Sequence, residues 1–443
     1  MKLNNIRKIF GYVLIITALA LTKSILLNFL SMYATVQLNN AIPLWIIRLL
    51  LLISGLILIF DRLDLKKIVD FYKLTATIIF TLLALFLILN TICYAIQFSE
   101  QYLPYKHFIL TKSEKSLLAL YPSLNKKQVF DLLTETWSRP FEFDAYDHFR
   151  EKSFKGKYLN VSENGFRLVK NQGPWPPSKN SFNIFIFGGS VVFNYSLPDD
   201  ETIASCLQEN LRKIFGDKIC VYNFGRGYYF SSQERVLFEK LLVGGFVPNI
   251  ALFLDGINEF YFRKDEPLLS EKLVRSLGDK TNLLFKSDAA NVIKTFYQKF
   301  STGCTNGPSI PLKNISNSEK EAFARMVINR YLSNKKIIES AANAFKVTPI
   351  FVWQPAPTYK YDLKYHVFAR GGFGRHSFST YGYEFADKIF RSNRGNNFLY
   401  LANLQANLKK PLYVDKTHYS RELSNLVAEE IAEFLEQKIT INK

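Results

Sequence analysis

Phe182-Asn-Ile-Phe-Ile-Phe-Gly-Gly-Ser-Val-Val-Phe-Asn-Tyr-Ser-Leu-Pro198 is the stretch whose reading decides the fold. Ile184 to Phe187 is a short apolar run of β-formers with no polar break, the pattern of a strand covered on both faces. Gly188 and Gly189 let the backbone turn sharply and approach another group closely before Ser190. A helix is expected to begin near Asp199 or Asp200, with Glu201 in its first turn. In a parallel sheet, a serine at a strand's carboxyl end stands where ligands of open α/β folds bind. Taken alone, Gly-Gly-Ser also reads as a plain loop. A phosphate loop fits less well, because neither G-x-x-x-x-G-K-[ST] nor G-x-G-x-x-G follows the strand.

The chain has 443 residues, enough for one large domain and a second element, and its 48% hydrophobic content is concentrated in the first hundred residues. The formal charge of +18 comes without a Lys/Arg run interleaved with aromatics, so nucleic acid is a poor partner. Anionic lipid or an acidic glycan suits the charge better. Cys93, Cys206, Cys220 and Cys304 lack metal-ligand spacing and read as buried free thiols. A Cys206 to Cys220 bridge between a helix and a strand is the alternative.

Three apolar stretches, Ile9 to Leu30, Ile42 to Phe60 and Leu74 to Phe98, each approach the ~20 residues that span hydrocarbon. The third has no charged residue, while Lys23 and Arg48 lie nearer one end of the first and second, where basic side chains snorkel. Lys2, Arg7 and Lys8 precede the first, and Arg62, Lys66, Lys67 and Lys73 separate the second from the third. Ser31 to Ala41 has neither Lys nor Arg. The positive-inside rule then sets the N-terminus in the cytoplasm and everything after Phe98 on the far side. Were one of the first two stretches re-entrant, that orientation would reverse.

Beyond the membrane segment, Ser99 to Pro140 reads as a polar, partly helical stalk with Ser113 or Ser116 as a cap, and nothing in it suggests chemistry. Asn164-Gly165 between apolar runs predicts a hairpin turn. After Ser190, helix and strand alternate. Ile203 to Ile214, Ser232 to Val243, Ser318 to Phe345 and Ser420 to Leu435 are helical, and Lys218 to Phe224, Ile250 to Leu254, Pro349 to Trp353 and Phe398 to Leu401 are strands. That alternation predicts a parallel sheet with helices on both faces. Insertions at Tyr261 to Asn317 and Pro355 to Tyr381 leave strand carboxyl ends. The second carries Tyr359, Tyr361, Tyr365, Phe368, Phe373 and Phe378, a surface for sugar or lipid or a satellite core.

The polar groups of interest fall at strand ends: Ser190 after the first strand, Gly225 after the second, Asn258 after the third, and Asp415 with His418 before the last helix. Serine needs a base, and imidazole suits that work at neutral pH. Asp415, three residues before His418, can fix its tautomer and stabilise imidazolium. The backbone N–H groups of Ser190 and Gly225 with the Asn258 amide would supply an oxyanion hole. An isolated histidine before a helix is more often an ordinary surface residue. His107, His148, His366 and His376 are read as structural, and Asp255 and Glu259 as loop-bonding groups beside Asn258.

Taken together, Gly188-Gly189-Ser190, the Gly225 block, Gly256-Ile257-Asn258-Glu259 and Asp415-x-x-His418 resemble, in order, the four blocks of the SGNH/GDSL hydrolase superfamily. The resemblance spans about Tyr158 to Leu435, with the Asn164 to Arg167 lead-in. It implies a three-layer α/β/α fold around a five-stranded parallel sheet in flavodoxin-like order. It also implies Ser190 as nucleophile, Asp415 and His418 as the other triad members, Ser190, Gly225 and Asn258 as oxyanion donors, and no metal or cofactor. Gly189 and Glu259 depart from the motif's aspartates at positions without a triad role.

The expected organisation is an anchor of three transmembrane helices over 1–98, a stalk over 99–157, and a hydrolase-like domain over 158–443. The expected activity is hydrolysis or transfer of an ester on an acylated envelope glycan or lipid, at the periplasmic face of a bacterial inner membrane. The alternatives are a lipid esterase and a catalytically inactive, membrane-tethered scaffold on the same fold.

Overall fold

The computed structural model describes residues 2–20, 44–59, 65–102, 117–261, 315–370, 372–392 and 395–439. Two compact units form, Met1–Ile92 and Cys93–Lys443. In the first, helices Lys2–Ala20 and Leu44–Ile59 meet where both carry glycine. A Cβ on Gly11 would lie 2.8 Å from the Gly55 carbonyl oxygen, so close approach of the two backbones depends on the missing side chains. Arg48 Nε donates to the Ala18 carbonyl at 2.9 Å, satisfying an acceptor that the helix end leaves open.

Of the three spans expected, one helix among the described residues is long and apolar enough to cross a membrane: Val69–Ile92, within helix Leu65–Tyr102. Leu44–Ile59 has 16 residues, about 24 Å at 1.5 Å per residue and short of a ~30 Å hydrocarbon core. Lys2–Ala20 begins among Lys2, Arg7 and Lys8, and residues 21–30 of the first expected span lie outside the described residues.

In the second unit two short hairpins, β1 (Phe141–Asp144) with β2 (His148–Glu151) and β3 (Phe154–Lys155) with β4 (Asn160–Val161), precede the main sheet. Its strands are β5 (Phe182–Gly188), β6 (Ile219–Asn223), β7 (Ile250–Asp255), β8 (Thr348–Trp353) and β9 (Phe398–Tyr400). They pair in the order β6-β5-β7-β8-β9, every pair parallel, the flavodoxin-like order. Period-two alternation sorts the strand residues by shape. Phe185, Phe187, Phe253, Phe351 and Trp353 face helices Ser231–Val243, Asn317–Ala344 and Ser379–Ser392. Ile184, Ile186, Leu252, Leu254, Ile350 and Val352 face helices Ile203–Phe215 and Arg421–Glu436. The aromatic side forms a stack across neighbouring strands, Phe187 to Phe253 at 4.8 Å and Phe253 to Phe351 at 5.5 Å between ring centroids.

Two expectations change and two open alternatives close. Ser190 itself opens a four-residue helix, Ser190–Phe193, and Asp199–Glu201 is a single 3-10 turn before Ile203–Phe215. Residues 117–157 are no detached stalk: Val129, Leu132 and Leu133 of helix Lys126–Trp137 pack in one core with Leu197, Phe368 and Val414. The aromatics Tyr359, Tyr361, Phe368 and Phe378 of the second insertion are buried, which makes that segment core. Cys206 and Cys220 are free and buried, so the alternative bridge is not formed. Of the first insertion, 262–314 lie outside the described residues, as do Cys304, His107, Ser113 and Ser116.

Candidate active site

The turn before Ser190 is built by glycine. A Cβ on Gly188 would lie 2.2 Å from Val192 Cγ2 and 2.8 Å from the Leu254 carbonyl oxygen, and one on Gly189 would lie 2.3 Å from Asn258 Nδ2. The chain therefore folds back against the end of β7 immediately before Ser190, and the Asn258 amide presses on the residue preceding the serine. Arg167, fully buried, fastens the other side of the turn. Its guanidinium donates to the carbonyl oxygens of Phe193 (2.5 Å), Asn194 (2.7 Å) and Leu197 (2.6 Å), and Nε bonds Asp199 Oδ1 at 2.8 Å. Three carbonyls and a carboxylate around one planar cation hold residues 193–199 in a single arrangement.

Asp415 and His418 come together as their spacing predicts. Asp415 Oδ1 accepts from the backbone N–H of Thr417 and of His418, both at 2.8 Å, and Oδ2 meets His418 Nδ1 at 2.5 Å. Burial alone would raise the Asp415 carboxyl, but His418 beside it and the two backbone donors hold it below the usual carboxylate range. The loop is pinned by Val414 N–H to the His418 carbonyl at 2.9 Å and by Tyr419 Oη to the Pro355 carbonyl at 2.6 Å. His366, in the second insertion, places Nε2 3.2 Å from the Lys416 carbonyl, which supports its structural reading.

With Nδ1 engaged, His418 Nε2 is buried and has no hydrogen-bond partner. The Ser190 hydroxyl is thus not bonded to it. The imidazole is held on its flanks by two aromatics, Tyr195 stacked at 5.4 Å and 28°, and Trp137 edge-on at 5.5 Å and 68°. Trp137 closes the segment expected to be an inert stalk.

Across the turn, Asn258 Nδ2 donates to the Tyr229 carbonyl at 2.8 Å, leaving its second N–H for another acceptor. Gly225 departs from expectation. Its N–H is already bonded to Asn223 Oδ1 at 2.9 Å, and it is glycine for packing, since a Cβ would lie 2.3 Å from the Phe193 nitrogen. Along the same turn the N–H groups of Arg226, Gly227 and Tyr229 bond Gly188, Glu151 and Arg226. Between them Tyr228 stands at φ 64°, a left-handed conformation unusual for a bulky residue, and no hydrogen bond engages its N–H among the described residues. The signal missed in sequence was the run Gly225 to Tyr229, which turns three residues later than its first glycine suggests.

His376, set aside as structural, lies close enough to His418 for their charges to interact. Its Nδ1 is buried without a partner, and its ring stands 4.8 Å from Tyr261. Burial first, then the His418 charge, pushes it down to about 4, so it is neutral at pH 7. Glu259 is a loop-bonding group, as expected: Oε1 accepts from Ser231 N–H at 2.7 Å and Oε2 pairs with Arg330 at 3.4 Å.

No family model and no curated protein sequence matches the chain. Solved structures do match. One, described as a lipolytic protein of the G-D-S-L family from Desulfitobacterium hafniense, is 13% identical, with 58% of this chain and 100% of that one covered at a TM-score of 0.32. The acetyl xylan esterase AlAXEase is 12% identical, with 57% and 98% covered at 0.32. A catalytic mutant of an acetylxylan esterase from Geobacillus stearothermophilus is 12% identical, with 57% and 93% covered at 0.30.

The geometry of the site gives a serine at a helix start after a buried strand, an imidazole oriented by a buried carboxylate, and an amide against the turn that carries the serine. Among the described residues no group of three or more His, Cys, Asp or Glu could hold a metal ion. Together the groups can deprotonate a hydroxyl and stabilise an oxyanion.

Proposed function

We propose that this chain is a serine acyl hydrolase or acyl transferase acting on an ester. The observation that carries the proposal is the buried Asp415–His418 pair, 2.5 Å apart, whose other ring nitrogen, Nε2, is buried without a hydrogen-bond partner. Ser190 Oγ attacks the ester carbonyl as His418 Nε2 takes its proton, and Asp415 stabilises the imidazolium. The oxyanion accepts from the Ser190 N–H and the Asn258 amide, with Tyr228 N–H as third donor in place of Gly225. His418 then returns the proton to the leaving alcohol. Water, or a sugar hydroxyl in the transferase case, repeats the steps in reverse to release the acyl group.

The apolar helix Val69–Ile92 and the basic residues between Asp61 and Lys73 support a membrane-anchored protein whose Ser190 faces away from the cytoplasm, and the two apolar stretches of sequence before it support further spans. The substrate class is then an acylated envelope glycan or lipid. Ser190→Ala should abolish turnover of a short-chain aryl ester by several orders of magnitude without unfolding the domain. Equal turnover by the variant would favour a non-catalytic scaffold on the same fold.

A further inference from the structure

Glu151, the last residue of β2, lies in the segment read from sequence as stalk, yet its side chain is 3% exposed. Its Oε1 accepts from Tyr195 Oη at 2.5 Å and from the Gly227 N–H at 3.1 Å. Its Oε2 pairs with Arg139 Nη1 at 3.1 Å, and that guanidinium lies 4.9 Å over the Phe193 ring. Tyr195 in turn stacks on His418, and Gly227 immediately precedes Tyr228. One carboxylate therefore reaches the imidazole through a phenol and the oxyanion-side turn through a backbone donor.

We infer that Glu151 is a positioning residue of the hydrolase site, acting through Tyr195 on the plane of the His418 ring and through Gly227 on the turn that presents Tyr228. The inference rests on the acyl-hydrolase proposal and adds a role that the four motif blocks do not contain. Asp415 fixes Nδ1, but one hydrogen bond leaves the imidazole free to tilt about the Nδ1–Oδ2 line. A flat ring against its face removes that freedom, provided the ring itself cannot slide. Tyr195 is anchored at its hydroxyl by Glu151 and flanked by Trp137, whose ring lies 4.9 Å away at 51° and whose Nε1 donates to Ser196 Oγ at 2.9 Å. The anionic acceptor also enriches the phenol ring in electron density, which favours a cation stacked on it. That cation exists only once His418 has taken the serine proton, so the benefit falls on the transition state. Burial and the Glu151 charge both push the Tyr195 hydroxyl upward, keeping it a neutral donor.

Tyr195→Phe keeps the ring and removes only the bond to Glu151, whereas Tyr195→Leu removes the stacking surface. Each is measured as aryl-ester turnover per serine titrated by a fluorophosphonate burst, so that loss of folded protein does not count. Tyr195→Phe should lower kcat about tenfold with KM within twofold, and Tyr195→Leu about a hundredfold, as for a misaimed catalytic group. Glu151→Asp, one methylene short, should resemble Tyr195→Phe. Unchanged kcat per titrated site in Tyr195→Phe and Glu151→Asp overturns the inference while leaving the hydrolase proposal standing. A wild-type protein that never titrates overturns both.

Discussion

Asp415 Oδ2 lies 2.5 Å from His418 Nδ1 while Asp415 Oδ1 accepts from the backbone of Thr417 and His418, so one buried carboxylate fixes both the ring and the loop that carries it. The tautomer with the proton on Nδ1 follows, leaving Nε2 as the ring's acceptor. Asp415→Asn would offer an amide in place of one acceptor and favour the wrong tautomer. Turnover of an aryl ester should fall by roughly 10³- to 10⁴-fold while KM changes little. A variant within tenfold of wild type would remove Asp415 from the catalytic machinery.

Asn258 gives a second prediction. Its amide already donates to the Tyr229 carbonyl, and its second N–H is the only one left for an oxyanion. Asn258→Ala should lower kcat by ~10²-fold or more, with smaller change in KM. Asn258→Asp should be worse, because a carboxylate would face both the developing charge and the Tyr229 carbonyl. An Asp variant as active as wild type would exclude Asn258 from the oxyanion hole.

His376 predicts how stability depends on pH. Its folded value, about 4, lies below that of an unfolded histidine, so between the two the unfolded chain binds the extra proton. Stability from this group is present near neutrality and is lost as pH falls from about 6.5 toward 4. His376→Phe should show a shallower decline of the urea midpoint over that range. Parallel curves for the two proteins would mean that His376 is not held neutral by the fold.

Much of the sheet was legible because its strands are unbroken apolar runs: Ile184 to Phe187 and Ile250 to Leu254 have one reading as covered strands, and the paired layers follow. Asp415 and His418 were legible because a three-residue spacing across a tight loop brings the two side chains together. What was hidden depends on partners far away in sequence. Trp137 and Glu151 reveal a role only beside His418 and Tyr195, and a window over residues 99–157 sees polar chain. Gly225 was misassigned for a related reason: a glycine marks a close backbone approach, and sequence does not say whether the approach serves packing or an anion. Helix Ser379–Ser392 was missed although Tyr383, Ala386 and Phe390 lie on one buried face, because the aromatic insertion before it obscured its start.

The membrane account makes a directional prediction. Four basic residues, Arg62, Lys66, Lys67 and Lys73, lie between Asp61 and Lys73, and none lies between Ser31 and Ala41. A reporter active only in the periplasm should work when fused after Lys443 and be silent when placed between Asp61 and Lys73. The reverse pattern would remove one span from the expected three, and the envelope substrate with it.

The central claim is that Ser190 is a nucleophile activated by His418. Its most direct measurement is fluorophosphonate labelling of the intact protein, with the modified residue located by mass spectrometry. The wild type should gain one adduct, on Ser190; Ser190→Ala should gain none, and His418→Ala should label at least ~100-fold more slowly. A wild type that stays unlabelled, or that carries its adduct on another residue, would contradict the account.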